Sequence, residues 1–141
     1  MIKRKFPSTN LIISPAVGGI VIGYEMGRQL NVETIFFERV EGKFQLRRGF
    51  SIKKNAKVLI VEDVITTGKS SIECSKLVIK AKAKLLGFAC IIDRSDDKSL
   101  LIKKTELVSH MKLNIPTYKK NKLPSFLKKI PITKPGSRYL R

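Results

Sequence analysis

Cysteine, histidine and tryptophan are scarce in this sequence of 141 residues, which contains two cysteines, one histidine and no tryptophan. Two cysteines do not make a disulfide framework in a chain of this length, and their spacing is not that of metal ligands. We therefore expect Cys74 and Cys90 to be small buried hydrophobic residues. The single histidine, His110, lies outside the sequence motifs and is interpreted as a structural or surface residue.

Long hydrophobic runs are also missing. No run approaches the ~18 apolar residues that a membrane-spanning helix needs. After the basic start at residues 1–5, the apolar run at 11–13 ends at Ser14 and Pro15, well short of a signal-peptide core. These absences predict a cytoplasmic protein with no membrane partner. The 43% of hydrophobic residues suffice for a core, and the length predicts a single domain over residues 1–141.

Acidic residues are few, with 11 Asp and Glu against 29 Lys and Arg, so the formal net charge is +18. Such an excess is common in nucleic-acid-binding proteins. The lysines are nevertheless spread along the whole chain instead of forming one block. A solvated lysine-rich surface, or attraction for phosphorylated substrates, explains the charge equally well, so we do not expect nucleic acid to be a partner.

Short apolar runs typical of strands alternate with segments of helical spacing. The first predicted helix covers about residues 20–30 and is closed by Asn31, and the second opens at Gly68, carries its apolar stripe as far as Leu85 and is stopped by Gly87. Strands are predicted at 11–13, 34–37, 44–46, 58–61 and 88–92, with another beginning at 107. This order predicts an α/β fold with a mostly parallel sheet flanked by helices.

Three polar pairs follow predicted strands: Ser14-Pro15, Glu62-Asp63 and Asp93-Arg94. We expect each pair to lie just past the end of its strand. In open α/β sheets, ligands bind beyond the carboxyl ends of the strands. The sequence therefore predicts a ligand site at this edge of the sheet.

Residues 58–70 carry the strongest chemical signal, because two adjacent acids are followed by a loop rich in hydroxyl groups and glycine at the start of a helix. Unpaired amides and the helix dipole attract an anion there. Carboxylates, in contrast, suit a ligand rich in hydroxyl groups. A ribose 5-phosphate satisfies both requirements. We do not expect a nucleotide-binding P-loop, because its first glycine would fall at Asp63, whose charge would repel nucleotide phosphates.

This run resembles the phosphoribosyl diphosphate (PRPP) binding motif of type I phosphoribosyltransferases. Other segments resemble the orotate phosphoribosyltransferases of that family, namely residues 14–20, 24–25, 27–30, 37–43, 46–50, 92–94 and 134–138. The resemblance implies a Rossmann-like type I phosphoribosyltransferase core. It also implies a pentosyltransferase of UMP biosynthesis, which transfers the 5-phosphoribosyl group of PRPP to orotate and yields orotidine 5′-phosphate and diphosphate.

The resemblance also implies roles for individual residues. Glu62 and Asp63 would hold the ribose hydroxyls and stabilise the oxocarbenium-like anomeric carbon. Thr66 and Arg94 would contact orotate, because a guanidinium matches a carboxylate. The implied PRPP-binding residues are Glu62, Asp63, Val64, Ile65, Thr66, Thr67, Gly68, Lys69 and Ser70.

A mobile catalytic loop is implied as well, with Arg39 and Lys43 as its catalytic cations and with Arg47 and Arg48 on or beside it. The sequence leaves open whether Lys43 or Arg47 is the essential cation of the loop. This loop would close over the diphosphate, often across the interface of a homodimer. Mg²⁺ would be chelated mainly by PRPP oxygens and not by a metal site of the protein.

The start of the chain departs from the family pattern, and two alternative functions stay open. Members of the family usually carry an additional N-terminal hood, whereas only ten residues precede Leu11 here, so we expect weak PRPP binding and poor turnover of orotate. The alternatives are a PRPP-binding regulatory protein that binds nucleic acid, and a phosphoribosyltransferase for purine or uracil salvage.

Overall fold

The computed structural model describes residues 1–95, 105–116, 118 and 120–131. The elements follow one another as α1 (Ile2–Lys5), β1 (Leu11–Pro15), α2 (Gly19–Leu30), β2 (Glu33–Val40), β3 (Lys43–Leu46), β4 (Lys57–Ile65), α3 (Lys69–Lys80), β5 (Lys84–Asp93), β6 (Leu107–Lys112), a 3₁₀ turn (Lys120–Lys122) and α4 (Ser125–Lys128). Within these residues, no helix combines the length and the apolar character needed to cross a membrane.

The six strands form one sheet in the order β3-β2-β1-β4-β5-β6. Every neighbouring pair is parallel except β2 and β3, which form an antiparallel hairpin around Glu41 and Gly42. Ile13 of β1 lies opposite Ile35 on one side and Ile60 on the other, so the β-branched runs meet at the centre of the sheet. This confirms the predicted α/β class with a mostly parallel sheet.

The core has a layer on each face of the sheet, because successive side chains of a strand point to opposite faces. On one face, Ile13 and Ile60 pack with Val78 of α3. On the other face, Ile12 and Leu59 pack against α2. Every fourth residue of α2 from Gly19 to Gly27 is a buried glycine, which lets this helix lie close to β1.

The boundary between α3 and β5 differs from the prediction. The helix ends at Lys80, and the chain turns through Lys82, whose φ is +56°. Leu85 and Gly87 therefore belong to β5 and neither continue nor stop the helix. The spacing of Leu85 fits either element, whereas its pairing opposite Val58 of β4 decides in favour of the strand.

Three strands also run further than predicted. They end at Pro15, Ile65 and Asp93, so the polar pairs at 14–15 and 62–63 lie inside strands and only Arg94 follows one. Ladder pairing causes the extension, since Val64 lies opposite Ile92 and Ile65 opposite Asp93. The prediction of one shared edge is confirmed, because these strands are parallel neighbours or next neighbours in the sheet.

Candidate active site

An open pocket of about 810 Å³ lies at the carboxyl edge of the central strands. It is lined by residues 15–19, Arg39, Phe44 and residues 62–70. The end of β4, the loop that follows it and the first turn of α3 thus share one cavity with the loop after β1. All of the residues predicted to bind PRPP line this pocket.

The two acids reach the pocket from opposite faces of β4. Glu62 is only 8% exposed and accepts a hydrogen bond from the hydroxyl of Ser71 in α3. Asp63 is exposed and accepts a hydrogen bond from the backbone N–H of Val64 at 2.9 Å. A Cβ atom on Gly18 would overlap Oδ2 of Asp63, so the loop after β1 approaches this carboxylate closely.

The loop between β4 and α3 is built to expose donors. Gly68 has a φ of +71°, a left-handed conformation that costs glycine little. The first turn of α3 contains no acidic residue, and Thr67 accepts the N–H of Lys69 at 3.4 Å. The hydroxyl groups, the backbone amides of a helix start and the positive end of the helix dipole make this turn suitable for a phosphate group.

Arg39 of β2 forms another wall of the pocket. Its guanidinium carbon lies 3.9 Å from the centre of the Phe44 ring, and Nη1 donates to the carbonyl oxygen of Gly42. Nη2 donates to Oε2 of Glu73 at 3.0 Å, and Oε1 of Glu73 accepts the backbone N–H of Phe44 at 2.9 Å. Partial burial opposes ionisation of Glu73, but these two partners outweigh it and hold the pKa of the carboxyl below its usual value.

The other loop cations do not line the pocket. Lys43 is exposed on β3, opposite Val40. Arg48 pairs with Glu38 at 2.7 Å, and Arg47 lies 3.8 Å from the same carboxylate. The hairpin therefore offers Arg39, and not Lys43, to the pocket in this conformation.

Arg94 also lies outside the pocket lining. Its backbone N–H donates to the carbonyl oxygen of Ile65 at 2.7 Å, which ties it to the end of β4. Its Nε is buried and has no hydrogen-bond partner among the described residues. The segment 134–138, which carried part of the resemblance, lies outside the described residues.

Sequence reasoning missed Phe44, Ser71 and Glu73. Their partners lie far away in the chain, since Phe44 and Glu73 are separated by 29 positions and Ser71 and Glu62 by nine. The sequence contains one signal for these residues, namely that Glu73 lies close to the loop at 66–70 in the chain. A pattern search has no means of pairing Glu73 with a hairpin in another part of the sheet.

Comparison with known proteins decides the family. Residues 3–115 match the family model described as the phosphoribosyl transferase domain. The chain belongs to the phosphoribosyltransferase family. This confirms the resemblance drawn from residues 58–70.

Relatives within the phosphoribosyltransferase family are similar over nearly the whole chain. The orotate phosphoribosyltransferase of Parvibaculum lavamentivorans is 46% identical over 129 residues, which are 92% of this chain and 66% of that protein. The orotate phosphoribosyltransferase of Methylobacterium sp. (strain 4-46) is 45% identical over 98% of this chain and 70% of that protein. The chain thus spans about two thirds of the length of these curated relatives.

Solved phosphoribosyltransferases share the fold. The orotate phosphoribosyltransferase of Aeropyrum pernix superposes with a TM-score of 0.66 at 21% identity, covering 79% of this chain and 65% of that one. An adenine phosphoribosyltransferase from Saccharomyces cerevisiae gives 0.63 at 21% identity over 77% and 69% of the two chains. At such identities the likeness establishes the fold alone, and it confirms the Rossmann-like type I core.

Proposed function

We propose that this chain provides the PRPP site of an orotate phosphoribosyltransferase, a pentosyltransferase that converts PRPP and orotate into orotidine 5′-phosphate and diphosphate. The observation that carries the proposal is that all of residues 62–70 line the same pocket as the loop at 15–19 and Arg39. The choice of orotate is supported by the names of the relatives that are 43–46% identical.

Each part of PRPP has a matching part of the pocket in this proposal. The 5-phosphate binds the amides and hydroxyl groups from Thr66 to Ser70 at the start of α3. Val64 and Ile65 are the last residues of β4, and they connect the two acids to that loop. The pentose hydroxyls bind the carboxylates of Glu62 and Asp63 from the two faces of the strand.

The reaction develops positive charge on the pentose as the bond from its anomeric carbon to diphosphate breaks and the bond to an orotate nitrogen forms. Glu62 and Asp63 stabilise that charge, since fixed carboxylates next to a developing cation lower the energy of the transition state. Arg39 and Lys43 stabilise the departing diphosphate, Lys43 after its exposed side chain turns towards the pocket. Thr66 and Arg94 contact orotate, whose carboxylate a guanidinium binds bidentately.

Magnesium enters this proposal as an ion that PRPP brings with it. Asp63 is an exposed oxygen ligand at the pocket wall, of the kind that Mg²⁺ takes. Among the described residues, no three His, Cys, Asp or Glu side chains are grouped so as to hold a metal by themselves. The carboxylate of Asp63 therefore fits an ion whose other ligands come from the substrate. When bound, the ion neutralises diphosphate charge.

The same family likeness supports a proposal for the setting of the reaction. We propose a homodimer acting in the UMP biosynthesis of the cytoplasm, in which the tip of the hairpin closes over the pocket. The free, buried thiols of Cys74 and Cys90 are consistent with a reducing compartment.

A base screen tests the proposed function. The protein is mixed with a smaller amount of PRPP, with Mg²⁺, and with orotate, adenine or uracil. The nucleotide product is then identified by mass spectrometry. We expect orotidine 5′-phosphate alone, and AMP or UMP in its place would contradict the proposal. The regulatory alternative predicts RNA binding of submicromolar affinity with a steep salt dependence, which the same preparation can be tested for.

A further inference from the structure

Glu73 connects two parts of the pocket that are distant in the chain. It lies in α3, the helix whose first turn forms the proposed phosphate site, and it contacts the hairpin of β2 and β3. Its carboxylate accepts bonds from both terminal nitrogens of Arg39, at 3.4 and 3.0 Å, and from the backbone N–H of Phe44 at 2.9 Å. One side chain therefore fixes both the backbone and the cation of the hairpin.

This ion pair differs from an ordinary surface pair. The side chains of Arg39 and Glu73 are 34% and 29% exposed, whereas those of Arg28 and Glu25 are 60% and 45% exposed. The ring of Phe44 covers one face of the Arg39 guanidinium at 3.9 Å. A guanidinium that is held in its plane by a carboxylate and stacked on a ring loses little further freedom when it binds a second anion.

The pairing leaves donors of Arg39 for a ligand. Within the described part of the chain, Nε of Arg39 makes no hydrogen bond, and its bonded groups are the terminal nitrogens. Arg39 also lines the pocket, whereas Glu73 does not. Arg39 can therefore keep Glu73 as a partner while it contacts an anion in the pocket.

We propose that Glu73 is a positioning residue, which holds the hairpin against α3 and fixes Arg39 where the diphosphate of PRPP binds. This inference rests on the proposed function, because it assigns the anion that Arg39 meets. Glu73 acts through Arg39 and does not itself touch the substrate. Its loss weakens contacts with diphosphate and spares contacts with the 5-phosphate.

Calorimetric titration with two ligands tests this division. PRPP with Mg²⁺ and ribose 5-phosphate, which lacks the diphosphate, are each titrated into the wild type and into Glu73→Gln. We expect PRPP to bind about tenfold more weakly to the variant, as for a lost charge-assisted contact, with ribose 5-phosphate unchanged. Glu25→Gln, which removes a carboxylate–guanidinium pair within α2, is the matched control and should change neither affinity.

The possible outcomes separate the two proposals. Equal weakening of both ligands by Glu73→Gln would mean general disruption of the pocket and would overturn the positioning role, as would no weakening of either. A wild type that binds neither ligand would instead contradict the proposed function itself.

A double-mutant cycle shows whether Glu73 acts through Arg39. In the Arg39→Ala background, we expect Glu73→Gln to cause no further loss of PRPP affinity, whereas additive losses would overturn the inference. Glu73→Asp keeps the charge on a shorter side chain and should recover part of the affinity. Because each variant is compared by its ratio of PRPP to ribose 5-phosphate affinity, a partial loss of folded protein does not imitate the effect.

Discussion

Glu62 and Asp63 are neighbours in the sequence but lie in different surroundings. Glu62 is buried beneath α3 and bonded to Ser71, whereas Asp63 is exposed beside Gly18. A buried carboxylate contributes to stability through its hydrogen bonds, while an exposed one is available to a ligand. Substitution of Asp63 should therefore affect binding alone, whereas substitution of Glu62 should affect both binding and stability.

Gly18→Ala is predicted to impair the site without unfolding the protein. The backbone of Gly18 is right-handed helical and accepts alanine, but the new Cβ would overlap the Asp63 carboxylate. Since the end of that side chain can rotate away, we expect a small change in Tm and a loss of PRPP affinity in calorimetry.

Gly27→Ala provides the opposite control. Its Cβ would overlap Oγ1 of Thr34 and lie 3.0 Å from the backbone oxygen of Val32, at the end of α2 far from the pocket lining. Overpacking of this kind costs about 1–3 kcal/mol, so Tm should fall while the PRPP affinity of the folded protein is retained. For Gly18→Ala, an unchanged PRPP affinity would refute the assignment of Asp63 as a PRPP contact.

The sequence singled out residues 62–70, which line the pocket, but indicated neither the place of Phe44 nor the orientation of the two acids. Residues beyond the end of a strand do not alternate between faces, so a predicted strand that ends at Val61 gives no orientation for Glu62 and Asp63. Pairing of β4 with β5 as far as Ile65 places them within the ladder. Side-chain polarity gives little indication of this, since backbone hydrogen bonds continue a strand whatever side chains it carries.

At the level of elements, β4 is the strand on which the site depends. Residues 58–61 are fully buried between two layers, and the same strand continues through the two acids towards the loop before α3. The continuous apolar run, in which all residues but Leu59 are β-branched, made this strand predictable, because a strand buried on both faces favours such a run. The end of α3 was not predictable in this way, because an apolar residue at 85 fits a helix and a strand alike.

Ile60→Ala is predicted to destabilise the protein strongly. Ile60 is 0% exposed at the centre of β4, and removal of such a side chain costs about 2–5 kcal/mol. Urea unfolding followed by circular dichroism measures the loss. Ile79→Ala in α3 is the matched control, because Ile79 is 62% exposed and should lose less than about 0.5 kcal/mol. Equal losses in the two variants would contradict the assignment of the core.

At the scale of the whole molecule, the charge of +18 does not mark the site. The exposed lysines at positions 53, 54, 57, 82 and 84 lie at or just before the amino ends of β4 and β5, opposite the edge that carries the pocket. Composition reports the total charge but not its placement. The motif at residues 58–70 was therefore a better guide to function than the net charge.

Both thiols are predicted to be unreactive in the folded protein. Burial, reinforced by nearby carboxylates such as Glu62, raises the pKa of Cys74, and burial together with Asp93 raises the pKa of Cys90 to about 12. The thiols therefore stay protonated at pH 8, and the thiolate is the reactive form. A disulfide-exchange reagent at pH 8 should label neither cysteine until urea unfolds the chain, and rapid labelling of the native protein would contradict the described core.

Titration of PRPP with Mg²⁺ into the wild type and into Asp63→Asn tests the central claim most directly. Asp63 is exposed, so the variant should keep the Tm of the wild type, and the wild type should bind PRPP at least about tenfold more tightly because a charged hydrogen-bond acceptor is lost. Equal affinity of the two proteins for PRPP would show that the pentose does not bind at the end of β4.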